Sequence, residues 1–530
     1  MKFGVQDTLT EEQVQSGLRT VIKDGLASQA MVTLTGGAFL VAFALKLGAS
    51  NVVIGLLAAI PPLMQLIQIP SIFLIEKIRN RRAISVYTSA ASRIMWLLIA
   101  LTPVLLSPEA GLMFLVVALS LQAGFAAVSA CSWNSWMRDL VPQDQLGSFY
   151  SRRMILAAGL GIVLSLLAGI YIDVVKRHFP GLESYGYATL FFFGFIAGMR
   201  GVLFISTIPE PRMAAREEKA SILRLISEPF KDANYKRLII FLGYWNFAVN
   251  LAAPFFTVYM LKRLQLDMTF IIALTVLSQI TNLAFLRIWG KFSDHFSNKS
   301  VLTVSGPLFL ACIFAWTFTT MPEKYAGTIP LLIAIHIFMG ISVAGTTLAS
   351  GNIALKLAPK ERATAYLAAN SLVNSLAAGT GPVLGGVFAD FFATRELSLT
   401  LNWRSPVKEL SFDTLNFQHW DFFFFLAFLI GLYSIHRLAK VKEVGEVEEK
   451  VVIHELVSEI RRPMRNLSTA GGLRQMVVFP FSLLKQASGA MTLGVKATES
   501  TEPPRKTEDD GRPSSQLPQT EAETAKATQD

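Results

Sequence analysis

Long apolar runs alternate with short polar breaks along most of this chain. Runs of about 20 residues with few charges recur between residues 26 and 438, each long enough to cross roughly 30 Å of hydrocarbon as a helix. Twelve runs fit the pattern: 26–47, 51–75, 83–106, 111–137, 153–174, 187–207, 237–260, 268–292, 301–319, 328–355, 364–390 and 421–438. The pattern predicts an all-α membrane protein. Its first six runs occupy residues 26–208 and its last six residues 237–438.

The breaks divide the chain further. Residues 1–25 read as a cytoplasmic N-terminal helix, opened by the capping box Thr10-Glu11-Glu12-Gln13. Two prolines, Pro209 and Pro211, end the sixth run and begin a polar central loop over residues 209–236. Residues 439–498 form a cytoplasmic amphipathic segment. Within it, apolar residues at helical spacing between Val451 and Leu467 and the basic Arg461, Arg462 and Arg465 suit either a membrane surface or a solvated helix. Residues 499–530, rich in Pro, Thr, Glu, Lys and Gln, are predicted to be disordered.

Composition supports the membrane reading: 52% of residues are hydrophobic and 16% charged, against about 25% charged in soluble domains. The net charge of +10 lies mostly in the breaks, which points to membrane orientation and not to nucleic acid. If the N-terminus is inside, the inner loops carry roughly twice the Lys and Arg of the outer ones. Both termini are therefore expected in the cytoplasm of a cell in whose inner (cytoplasmic) membrane the protein sits. Met1 to Asp24 is polar and mixed in charge, unlike a signal peptide. Cys131 and Cys312 fall inside apolar runs and read as packing residues. The sequence offers no metal-ligand cluster, no cofactor motif, no phosphate-binding glycine loop and no catalytic grouping. Neither an enzyme nor a direct user of ATP is expected.

A short acid-base signature closes two of the runs. One copy reads Gly290-Lys291-Phe292-Ser293-Asp294-His295-Phe296-Ser297-Asn298-Lys299. The other, Glu76-Lys77-Ile78-Arg79-Asn80-Arg81, stands at the matching point of the first half. A second repeat joins Val141-Pro142 through Tyr150 to Ala358-Pro359 through Tyr366. The runs that follow end in the acids Asp173 and Asp390.

These residues resemble the major facilitator superfamily, of bacterial type, whose signature has the form G-x-x-x-D-[RK]-x-G-[RK]-[RK]. Gly290, Asp294 and Lys299 match it, while Glu76 stands for the acid and Ile72 for the glycine of the weaker copy. The resemblance covers roughly residues 20–440. It implies twelve transmembrane helices in two pseudo-symmetric six-helix bundles and a secondary transporter moving a small solute by rocker-switch alternating access. In that scheme Asp294 meets the start of the fifth helix near Arg152 and Arg153, and Glu76 the start of the eleventh. Arg81, Arg138 and Arg152 join the same gate network. Two departures stand out. Ser120 occupies the place of an arginine common in proton-coupled exporters, and Gly381-Pro382-Val383-Leu384-Gly385-Gly386 appears in the eleventh run, where a bend and close packing are expected. A non-transporting relative, a sensor or assembly factor acting through the C-terminal tail, is the other reading open at this stage.

Polar residues inside the runs are the candidates for solute contact, because lipid offers them no partner. They include Gln122, Asn246, Asn250, Gln279, His336, Asn370 and Asn374. The resemblance makes the first, fourth, seventh and tenth helices line the cavity, which favours Gln122, Asn246, Asn250 and His336. His336 is also the candidate proton carrier, since the runs hold almost no carboxylate. The expected partners are thus a small solute, a proton where transport is coupled, and the lipid bilayer; the chain is expected to act as a monomer. Cysteine labelling tests the topology: positions in 212–235 and 445–530 should react only from the cytoplasmic side of intact cells.

Overall fold

The computed structural model describes residues 4–7, 9–143, 145–213, 227–320, 323–359, 362–405, 409–447 and 450–457. Most of the segment 439–498, including Arg461, Arg462 and Arg465, and all of the tail 499–530 lie outside them, as do residues 214–226 of the central loop. The chain divides after Ile453, and the helices below belong to the first unit.

Twelve helices have the length and apolarity to cross a membrane: α1 (Glu11–Lys46), α2 (Asn51–Ile78), α3 (Arg81–Leu105), α4 (Pro108–Leu140), α5 (Leu146–His178), α6 (Glu183–Ile205), α7 (Ala233–Lys262), α8 (Met268–His295), α9 (Asn298–Phe318), α10 (Thr328–Leu357), α11 (Ala365–Phe392) and α12 (Trp420–Leu438). Helices α1–α6 form the N-terminal half and α7–α12 the C-terminal half. The face where α1 begins and α12 ends is called here the near end, and the opposite face the far end.

The N-terminal segment departs from expectation. The Thr10 capping box is present, with Thr10 Oγ1 accepting from the Gln13 amide at 3.3 Å and Gln13 Oε1 from the Thr10 amide at 3.0 Å. The helix it opens runs unbroken from Glu11 to Thr35, so residues 11–25 are the near-end part of the first membrane helix and not a separate element. Its inward face carries Gly17, Leu18, Val21, Asp24, Gly25 and Met31, a helical spacing that continues across the predicted boundary. The break comes later, at Gly36 and Gly37, where Gly37 has φ 55° and the second segment, Gly37–Lys46, begins. Only glycine takes this left-handed backbone freely.

A second departure is a two-stranded antiparallel hairpin at the far end between α11 and α12. β1 (Glu396–Arg404) pairs with β2 (Glu409–Gln418), Glu396 opposite Gln418 and Arg404 opposite Glu409, with a register shift between Leu399 and Thr400. The sequence Leu397-Ser398-Leu399-Thr400-Leu401 alternates with the period of a strand. That period is invisible to a search for long apolar runs.

Each half is tied at the near end by one buried carboxylate. Glu210, 1% exposed, follows α6 and accepts from the amides of Arg81 at 2.7 Å and Arg82 at 3.0 Å, the open N-terminus of α3. The Arg81 side chain is fully buried. It donates to Glu210 Oε1 at 3.4 Å, to the Ser135 carbonyl of α4 at 3.0 Å, to the Pro211 carbonyl at 2.7 Å and to Asp139. In the other half, Glu443 follows α12 and accepts from the Lys299 amide at 2.7 Å and from Asn298 Nδ2 at 2.9 Å at the start of α9. Lys299 Nζ reaches Glu446 at 2.6 Å. A helix N-terminus leaves backbone N–H groups without partners and carries partial positive charge, and a carboxylate answers both.

Removing one member of such a buried set strands the others. Glu210→Ala is expected to cost about 3–5 kcal/mol, and Arg138→Ala, whose side chain is 84% exposed, about 0–1 kcal/mol. Thermal unfolding of detergent-purified protein, compared between the two variants, checks this.

Candidate functional site

At the far end, carboxylates of each half cap helices of the other. Asp173, near the end of α5 and 6% exposed, accepts from the amides of Met268 at 2.9 Å and Thr269 at 2.8 Å, the first residues of α8. The residue preceding α8, Asp267, gives no side-chain cap of its own. It lies instead 3.6 Å from Lys176 and 3.5 Å from Arg177 of α5. The second bridge runs the other way. Asp390, near the end of α11 and exposed, accepts from the Asn51 amide at 3.3 Å, Asn51 Nδ2 at 2.8 Å and the Val52 amide at 3.1 Å, at the start of α2. Asp173 and Asp390 are the paired acids of the sequence repeat, and the structure gives them the same task in opposite directions.

Below Asp390 the two halves touch backbone to backbone. A Cβ at Gly55 of α2 would collide with the Pro382 carbonyl of α11, and one at Gly386 would collide with the Asn51 carbonyl. On its other side α11 meets α7, where a Cβ at Gly385 would strike the Leu251 carbonyl and one at Gly381 the Phe247 carbonyl. The run Gly381-Pro382-Val383-Leu384-Gly385-Gly386 thus lets α11 fit between a helix of its own half and one of the other.

The near-end signature residues are placed differently. Asp294 is exposed and has no hydrogen bond or ion pair among the described residues, so it does not reach α5 in this conformation. Arg152 is also exposed and unpaired among them. A Cβ at Gly290 would meet nothing within 4 Å. Arg138 lies 3.9 Å from Asp139 only. Glu76 is half-buried and not free. Arg81 and Lys299 are engaged inside their own halves, as described above. The structure therefore brings none of Asp294, Arg152 and Arg138 together across the halves.

Three of the amides do converge. Asn246 of α7 donates from Nδ2 to Asn374 Oδ1 of α11 at 3.2 Å, and Asn374 donates to Asn370 Oδ1 at 3.4 Å. They line a cavity of about 300 Å³ between α7, α9, α10 and α11. Thr346, Thr347 and Ser350 add hydroxyls, and Trp245 and Phe309 supply aromatic walls. None of its twelve lining residues is charged. The other candidates lie elsewhere. Asn250 donates to the Asn246 carbonyl at 2.8 Å without lining the cavity. Gln122 donates to Ser92 of α3 at 3.2 Å. Gln279 is exposed on α8. His336 bonds the Leu332 carbonyl at 2.8 Å through Nδ1 and packs on Trp316, 5.7 Å between ring centroids.

A charged cluster sits inside the N-terminal half: Arg93 stands out in the sequence as an arginine deep in the third run, but its acid partner was not foreseen. Asp24 of α1 is 3% exposed and Arg93 of α3 is 7% exposed. They stand 3.9 Å apart, bridged by Ser28, whose hydroxyl donates to Asp24 at 3.3 Å and accepts from Arg93 Nη2 at 3.1 Å. Starting the first run at residue 26 put Asp24 outside the membrane, although its i, i+4 spacing to Ser28 and i, i+7 to Met31 marks it as part of the inward face.

The sequence matches no curated protein. Among solved structures, the nucleoside transporter NupG superposes with a TM-score of 0.56 at 12% identity, over 81% of this chain and 98% of that one. The xylose transporter XylE from E. coli, in an inward open conformation, gives 0.57 at 14% identity over 82% and 98%. A bacterial homologue of the iron transporter ferroportin in an inward-facing state gives 0.55 at 11% identity over 82% and 99%. At these identities the likeness is one of fold. The sequence itself matches the family over residues 25–382 and again over 238–435, and with twelve membrane-length helices in two matching halves the chain belongs to the Major Facilitator Superfamily.

Proposed function

We propose that the protein moves a small, uncharged, polar solute across the membrane by alternating access. The family and its solved relatives support a membrane transporter. The observation that carries the finer reading is the uncharged cavity of Asn246, Asn370, Asn374, Thr346, Thr347 and Ser350 between Trp245 and Phe309. Amides and hydroxyls both donate and accept, and aromatic walls take the apolar faces of a ring. A full charge on the solute would find no counter-charge there.

Alternating access needs contacts that exist in one state only. The bridges at Asp173 and Asp390 are of this kind, because each joins a helix end of one half to a carboxylate of the other. With the far end tied and Asp294 free, the conformation is one sealed at the far end. The loop charges make the near end cytoplasmic, so this is an inward-facing state. In the opposite state Asp294 would find the start of α5, as the signature implies.

Loss of either far-end bridge should favour the outward-facing state. A carboxylate at a helix N-terminus is worth about 0.3–1 kcal/mol, and up to ~2 where partly buried. Asp173→Asn is thus expected to shift the population by roughly 2- to 30-fold. The more exposed Asp390 should give the smaller shift in Asp390→Asn. Labelling of a cysteine placed at the buried Met268 reports far-end opening, and unchanged labelling in both variants would remove the bridges from the mechanism.

The cavity is tested by flux. A panel of sugars, nucleosides, polyols and small amides is offered to proteoliposomes. For whichever solute is carried, Asn374→Ala should raise KM by about 5- to 150-fold, the effect of about 1–3 kcal/mol for a lost buried partner. Asn250→Ala, outside the cavity, should leave KM near the wild-type value.

A further inference from the structure

We infer that Asp24, with Arg93 and Arg153, forms a proton-binding site whose occupancy sets the far-end bridge. This inference rests on the alternating-access reading and extends it to regulation by a proton.

The cluster has too few acceptors for its donors. Asp24 is its one carboxylate. Arg93 from α3 stands 3.9 Å from it, and Arg153 from α5 packs its guanidinium against Gly25, the next residue of α1. The neighbouring α6 approaches with Gly201, where an added Cβ would lie 3.0 Å from Asp24 Oδ1, and α1 itself adds Ser28. Nε and Nη1 of Arg93 and Nε of Arg153 are buried with no hydrogen-bond partner. Arg153 lies over the Trp133 ring, 5.1 Å from its centroid, and a Cβ at Gly25 would collide with its guanidinium. Among the described residues two cations therefore stand beside a single anion, with three donor nitrogens unanswered. Buried charges are usually paired and fully hydrogen-bonded, so this cluster is held together by one negative charge.

Protonation removes that charge. Asp24 takes up one proton, its carboxylate becomes a carboxylic acid, and no other bond is made or broken. Arg93 and Arg153 are then left without a counter-ion in the same niche. The present conformation becomes costlier, and a state that separates them or admits water is favoured. The consequence reaches the far end through one rigid element. Arg153 sits at the start of α5, and the same helix carries Asp173, which caps α8. A shift of α5 that relieves Arg153 also moves Asp173. Acid should therefore open the far end.

The histidines do not compete for this role inside the membrane. His336 is already bonded and packed, and His419 outside the spans has its pKa pushed down to about 4, first by burial and then by Lys262 and Arg263. Asp421 of α12 is buried as deeply as Asp24, with Oδ2 accepting from the Gln418 amide at 3.1 Å and Oδ1 without a hydrogen-bond partner, but it belongs to the other half. It serves as the control.

The test uses the full chain in liposomes without solute, with Cys131→Ser, Cys312→Ala and Met268→Cys, and follows labelling of position 268 between about pH 8 and about pH 5. Wild-type labelling should rise by about tenfold as pH falls. Asp24→Asn should label at the acid level throughout, Asp24→Glu should restore the titration, and Asp421→Asn should titrate as wild type does. Infrared difference spectra give a second readout, a protonated-carboxyl band that appears with acid and is absent in Asp24→Asn. The inference is overturned if Asp24→Asn titrates like wild type, or if the wild type does not respond while Asp173→Asn opens normally. Should position 268 stay closed in every variant, Asp173→Asn included, the alternating-access reading itself has failed.

Discussion

A helix that starts at the surface of a membrane has several N–H groups with no partner, and water there is scarce. Four carboxylates answer that need from outside the helix they cap, while Asp232 caps α7 from its own N-terminus. Glu210 and Glu443 cap α3 and α9 within their own halves. Asp173 and Asp390 cap α8 and α2 across the halves. One interaction thus does two kinds of work, set by the chain it comes from. A cap supplied from within a half ties that half together, and a cap supplied from the other half is the kind of contact that the proposed alternating access would release. The pattern is repeated in both halves, so the pseudo-symmetry of the fold is a symmetry of helix caps as well as of helices.

Much of the architecture was legible in the sequence because hydrocarbon imposes a length on each apolar run. The twelve runs and the paired ends at Asp173 and Asp390 could be read that way. What failed was the edge of a run. Lys23 and Asp24 look like the polar flank of a membrane helix, yet Asp24 has a cation from another helix to meet, and the helix continues through it. Charge marks the end of a span only where no partner waits inside. The hairpin between β1 and β2 escaped for a related reason, since its period of two carries no long apolar stretch.

The candidate site was legible in type more than in place. Spacing of one helical turn put Asn246 with Asn250 and Asn370 with Asn374, but periodicity says which face of a helix a residue is on and not what that face meets. Asn246 found Asn374 across α7 and α11. Gln122, on a helix expected at the centre, turned to Ser92 inside its own half. His336 met the aromatic ring of Trp316. Glu210 and Glu443 were visible as acids after the sixth and twelfth helices. Nothing in the one-dimensional pattern pointed them at the starts of α3 and α9, because those contacts join segments far apart in the chain.

The seam between α2 and α11 has a consequence for how this sequence can change over evolutionary time. At Gly55 and Gly386 the obstacle to a side chain is a carbonyl of the other half, and at Gly381 and Gly385 it is the backbone of α7. A side chain can turn away from an intruder, whereas a backbone can yield only if a whole helix moves. Drift along this seam is therefore confined to residues that leave the helix axes where they are, and compensating substitutions nearby cannot restore the lost space. Exposed apolar positions such as Val163, Leu167 and Phe193 carry no such restriction.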